Sequence, residues 1–123
     1  MSDPNELEIL IEYEGGTVLK GIRVGDGWVR PPYEVHTNEG ESFDRDDYRL
    51  ARALAVLLET YEDIDLTLDK GVPTRIALDG VPAIATYLHG AQERSRSEVA
   101  EIMDVSEKTV LKYLNRFSPR RRA

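Results

Sequence analysis

The sequence predicts an α+β fold in two parts: an antiparallel β-meander packed on one long helix over residues 1–79, and a three-helix head with a basic tail over residues 80–123. Three observations carry this expectation. Residues 6–14 alternate, with Leu7, Ile9, Ile11 and Tyr13 on one side and Glu6, Glu8, Glu12 and Glu14 on the other, the period of a half-buried strand. Residues 45–62 repeat apolar side chains at three and four, the period of a helix with a buried face. Residues 95–117 repeat them at the same spacing in two short runs separated by Asp104, Val105 and Ser106.

The first strand breaks its pattern only at Leu10, and Gly15-Gly16 then reads as a two-residue hairpin turn, since both positions take positive φ freely. That turn pairs Tyr13 with Val18, Ile9 with Ile22, Leu7 with Val24 and Glu8 with Arg23, and leaves Lys20 opposite Ile11. Asp26-Gly27 marks a second turn, and residues 28–30 a short third strand ended by Pro31-Pro32. Residues 33–42, which include His36, read as polar loop.

The helix expected over residues 45–62 has Asp44 as its N-cap and Asp47 in its first turn. One stripe is Tyr48, Ala51, Leu54, Ala55 and Leu58; a second is Leu50, Leu54, Leu57 and Tyr61. Two stripes exceed what one small sheet can cover. The second is therefore either a homodimer contact or core under the carboxy-terminal part. Residues 64–68 alternate like a strand, with 75–78 as a partner. Pro82 suits the first turn of a helix that points Ile84, Tyr87, Leu88 and Ala91 inward.

Ser95 and Glu98 stand three apart as a capping box, which starts a helix at Arg96 with Val99, Ala100 and Met103 inward. Ser106 caps the helix that follows, residues 107–117. Its stripe is Val110, Leu114 and Phe117, leaving Glu107, Lys108, Lys112, Asn115 and Arg116 outward. These residues carry a resemblance. Ala100 at the closest approach of the two helices, the turn residue four later, Val105 and Val110 together resemble the helix-turn-helix of bacterial and archaeal transcription regulators, including the last segment of sigma factors. Asp104 stands where such motifs most often have glycine, a departure that implies a wider turn. The resemblance implies that the second helix enters the major groove. It makes Ser106, Glu107, Lys108 and Lys112 base-facing candidates, with Arg96, Arg116, Arg120, Arg121 and Arg122 on phosphates.

Charge agrees. From Ser106 onward six cations face only Glu107, a net of +5; the chain as a whole carries −7, so residues 1–105 carry −12. A basic cluster on the second helix of an acidic protein is what phosphate neutralisation requires. With 23 acidic residues, and only Lys20, Lys70, Lys108 and Lys112 as lysines, the composition is similar to that of cytoplasmic proteins of salt-loving archaea. No cysteine is present, which excludes disulfides, thiol catalysis and cysteine-held metals; with no signal peptide or bilayer-spanning run, a cytoplasmic protein is expected.

An enzyme is not expected. His36 and His89 are isolated and read as surface or capping residues. Asp44, Asp46 and Asp47 read as a solvated helix start rather than a cation site, and the glycine pairs lack the context of a phosphate loop. No cofactor is implied. The expected function is sequence-specific binding of double-stranded DNA by a homodimeric transcription regulator. The alternatives are an interaction adaptor whose acidic half docks a basic partner while its helical head contacts polymerase or another regulator of the transcription machinery, and an accessory factor in plasmid or viral replication or recombination.

Overall fold

A computed structural model describes residues 6–25 and 27–119. Four strands, β1 (Glu8–Glu12), β2 (Val18–Arg23), β3 (Val29–His36) and β4 (Ser42–Arg45), form one antiparallel sheet in that order. Five helices follow: α1 (Tyr48–Thr60), α2 (Thr74–Leu78), α3 (Val81–Gly90), α4 (Arg96–Met103) and α5 (Glu107–Arg116). The class is α+β. Helix α1 lies on the sheet, α3 packs on α1, and α5 packs on α3 and α4.

The first hairpin differs from the sequence expectation by one residue, and that residue reverses a strand. Its loop holds three residues, not two: Tyr13 N–H donates to Thr17 O at 2.9 Å, and Gly16 N–H to Tyr13 O at 3.0 Å, with Gly16 at φ 101°. This is a tight turn closed by a left-handed glycine. Ile11 therefore pairs with Leu19 rather than Lys20, and Leu19 becomes fully buried core. A one-residue slip exchanges the faces of a strand. At Leu10, the break in the alternation, a bulge shifts the register by a second residue, so that Ile9 pairs with Lys20 rather than Ile22 and turns out, 52% exposed, while Ile11 and Tyr13 stay inward. Glu8 and Arg23 still meet, diagonally, with Nε–Oε2 at 3.1 Å. The loop is fixed from α1: the Glu59 carboxylate accepts the N–H of Gly15 and of Thr17, and a Cβ on Gly15 would lie 2.6 Å from Glu59 Oε2.

Pro31-Pro32 does not end the third strand. Between the pairs Ile22↔Arg30 and Lys20↔Glu34, β3 advances four residues while β2 advances two, and the prolines occupy that irregularity, where a missing N–H costs no ladder bond. His36 accordingly ends a strand, 2.8 Å from Glu34 Oε1, and does not lie in a loop. A turn over residues 37–41, closed by Thr37 N–H to Glu41 O at 2.9 Å, leads into β4, which the sequence reading missed. Because Arg45 pairs with Tyr33, the helix cannot begin at 45. It begins at Tyr48, and the cap is Asp47 rather than Asp44: its Oδ1 accepts Arg49 N–H at 2.9 Å and Leu50 N–H at 3.1 Å.

Both stripes of α1 are covered within the chain. Ala51, Leu54 and Ala55 face Ile11, Tyr13, Leu19 and Val35 of the sheet. Leu57 and Tyr61 face Ile76, Ala83, Tyr87 and Ala91. The alternation at 64–68 reflects an extended segment without a ladder, with Ile64 and Leu66 against that second cluster. Residues 74–78 form α2, not a strand, because Pro73 sets up a helical start and Ile76 is pulled into the core. The hydroxyl of Tyr87 donates to Asp65 O and that of Tyr61 to Asp79 Oδ2. Helix α3 is buried on nearly every side, and Gly90 lets it touch the α1 backbone.

Candidate nucleic-acid interface

The α4–α5 unit is set by local chemistry. Glu98 N–H donates to Ser95 Oγ at 3.1 Å and Ser95 N–H to Glu98 Oε1 at 3.0 Å, so two unpaired donors at the start of α4 are satisfied reciprocally. The same bonds hold the Glu98 carboxyl below its ordinary range. Helix α4 ends at Asp104, whose φ 57° and ψ 50° are left-handed. Val105 N–H returns to Ala100 O at 3.0 Å and Asp104 N–H to Glu101 O at 3.3 Å, the paired bonds of a Schellman stop. The turn therefore closes tightly although Asp104 replaces glycine, since aspartate is among the few residues that tolerate this region. Ser106 Oγ then accepts Thr109 N–H at 3.1 Å and starts α5.

Val99 and Ala100 of α4, Val110 of α5, and Ala85 and Leu88 of α3 form one buried cluster, with Tyr113 and Leu114 against its edge. This anchoring decides which side of α5 is free. Glu107, Lys108, Lys112, Asn115 and Arg116 are all exposed. Lys108, Lys112 and Asn115 stand at i, i+4 and i+7, one face of a ten-residue helix about 15 Å long. None of Lys108, Lys112 and Arg116 has an ion-pair partner among the described residues. Ser106 is exposed at the start of the same helix, with its oxygen already committed to the cap. Arg96 is half-buried at the start of α4, near enough to His89 for its charge to act on that residue's titration. Arg120, Arg121 and Arg122 lie outside the described residues.

Two cations near this face escaped the sequence reading. Arg49 and Arg52 of α1 line a cleft with Leu114, Asn115 and Phe117 of α5 and its cap. Their only sequence signal is a spacing of three on the side of α1 that carries neither apolar stripe.

His89 differs from the sequence expectation as well. It is not a surface residue: it is 4% exposed, with Nδ1 2.7 Å from Arg94 O, and Nε2 has no partner among the described residues. Arg45 reaches the same corner, its Nη2 donating to Gly90 O at 3.2 Å. Burial lowers the His89 pKa, and the carbonyl of Arg94 and the charge of Asp47 offset this only in part. A histidine with a depressed folded pKa binds its proton more readily when unfolded. Stability is therefore complete above the unfolded value of about 6.5 and falls as pH drops from there toward the folded value. The urea midpoint should fall between pH 7 and pH 5.5, and in a folded His89→Gln variant this window should flatten. An equally steep fall in the variant would assign it to other groups.

The fold class is α+β, and among the described residues no helix is long and apolar enough to cross a membrane. No family model matches the sequence, and neither a curated protein nor a solved structure matches it.

Proposed function

We propose that the chain is a sequence-specific DNA-binding protein, a transcription regulator of helix-turn-helix type whose head comprises α3, α4 and α5. The observation that carries this reading is the outward face of α5: three unpaired cations and Asn115 on one side of a helix whose other side is locked to α3 and α4. Lysine and arginine there can take phosphates or guanine edges, and Asn115 can read adenine in bidentate fashion. The charge distribution supports a single docking orientation. With +5 from residue 106 onward and −12 before it, the duplex attracts one end of the protein and repels the other. The charges of Arg120, Arg121 and Arg122, which lie outside the described residues, are part of that +5 and would take further phosphates.

The homodimer belongs to this reading, with two heads meeting half-sites one helical turn apart. Its contact is not the Leu50, Leu54, Leu57 and Tyr61 stripe, of which Leu54, Leu57 and Tyr61 are spent on the chain's own core. The exposed apolar residues of the meander are Ile9, Val24 and Trp28, the last 75% exposed. The same three residues favour a second reading, an adaptor that binds another protein through the meander.

Fluorescence polarisation against an upstream promoter fragment and a shuffled control, titrated with potassium chloride, tests the proposal. Fragment-selective binding is expected. Its log–log salt slope should lie between about −5 and −11, matching the six to twelve phosphates that two heads with three to six cations each would neutralise. Equal, steeply salt-sensitive binding to both DNAs would leave phosphate attraction alone, and no binding at any salt would leave the adaptor reading.

A further inference from the structure

The geometry points to a binding site for a small aromatic carboxylate in the cleft between α1, α3 and the carboxy-terminal end of α5. The cleft has a volume of about 130 Å³. That is close to the ~150 Å³ of a cavity known to hold a benzene ring, so a single ring with one polar substituent is the size class it takes. Its apolar walls are the buried Ala53 and Val56 of α1, with Leu114 and the half-buried Phe117. Its cationic lining comes from Arg49 and Arg52, which lie three apart and so project from adjoining turns of one helix side.

The arginines are what make the cleft more than a packing fault. In a chain with 23 acidic residues, neither guanidinium has a hydrogen bond or an ion pair to any described residue. Arg23 is engaged with Glu8, Arg45 with Gly90 O and Arg94 with Gln92; Arg49 and Arg52 share their freedom with Arg116, but they alone of these three line a cleft. Two planar, fork-shaped donors beside an apolar slot match a carboxylate carried on a flat ring, the anion taking the forks and the ring taking the slot. A phosphodiester would use the forks but leave the apolar walls wet, and a neutral ring would use the walls but leave the forks unmatched. The site therefore selects for both halves of the ligand. Its existence does not depend on DNA binding, because it is read by direct titration.

The test is amide chemical-shift mapping of the full chain, at the lowest potassium chloride concentration that keeps it folded, with three probes: benzoate, benzamide and inorganic phosphate. Benzoate should shift residues 49–56, Thr86 and residues 114–117 saturably, with benzamide and phosphate each at least tenfold weaker. The Arg49→Gln, Arg52→Gln double variant should lose at least tenfold in benzoate affinity with an unchanged far-ultraviolet spectrum. Benzamide equal to benzoate would overturn the arginine role, phosphate equal to benzoate would reduce the cleft to a bare anion patch, and no saturable shift at these residues with benzoate would remove the site. The three-probe comparison on the unaltered chain decides the matter even if the double variant unfolds.

Discussion

Gly90→Ala is expected to lower the stability of this protein by about 2 kcal/mol, although alanine is the better helix former. A Cβ built at Gly90 lies 2.7 Å from Leu54 N and 2.8 Å from the carbonyl carbon of Ala53. Both are backbone atoms of α1, so no side-chain rotation relieves the contact; the helices must separate. Overpacking of this kind costs roughly 1–3 kcal/mol, and more where backbone must move. The intrinsic preference of alanine over glycine within a helix returns about 1 kcal/mol. The clash wins because α1 and α3 join the core: Leu54 belongs to the cluster under the sheet, and Leu57 and Tyr87 to the next. Any gap propagates to Leu88, which seats Val99 and Val110. Urea unfolding measures it, and a thermal midpoint lower by roughly 6–10 °C should accompany the change. A Gly90→Ala protein as stable as the parent would mean that the two helices do not approach this closely.

That contact also marks the boundary of what the sequence can disclose. The α4–α5 unit was legible almost residue by residue, because Ser95 with Glu98, Asp104, and Ser106 with Thr109 act over three to five positions. Features set at long range were not. The three-residue loop after β1 is held by Glu59, more than forty residues away, and without that carboxylate Gly15-Gly16 reads as a two-residue turn. Strand β4 is short and polar, and it exists because β3 runs on past its prolines to offer an edge. The start of α1 moved three residues for the same reason. Alternation at 64–68 misled because an extended segment laid on a core shows period two whether or not a ladder forms. His89 gave no sign of burial, since its partner is a backbone carbonyl beyond the helix end. Arg49 and Arg52 become a pair with a cleft only when the end of α5 arrives beside them.

The second large effect is expected in DNA binding. Lys108→Ala with Lys112→Ala should weaken binding to a selected promoter fragment by a hundredfold or more, taking each base-edge contact as worth about 1–3 kcal/mol. The fold should be untouched. Both lysines are exposed and unpaired, alanine is at least as good a helix former, and surface changes of this sort stay within roughly 0.5 kcal/mol. The two roles a lysine can play are separable by salt. If Lys108 and Lys112 lie on phosphates, the variant loses affinity for promoter and shuffled DNA alike, and the log–log salt slope flattens by about 2 for each head bound, about 4 for the dimer. If they read bases, the loss is confined to the promoter and the slope barely moves. Arg116, one turn beyond Lys112, serves as the internal control, because it sits at the end of α5, where backbone contact is the expected role. Unchanged affinity in the double variant would remove α5 as the reading element. The cationic face would then be a solvated surface that offsets the acidic remainder of the chain, and the exposed meander residues Ile9, Val24 and Trp28 would become the place to look for a partner.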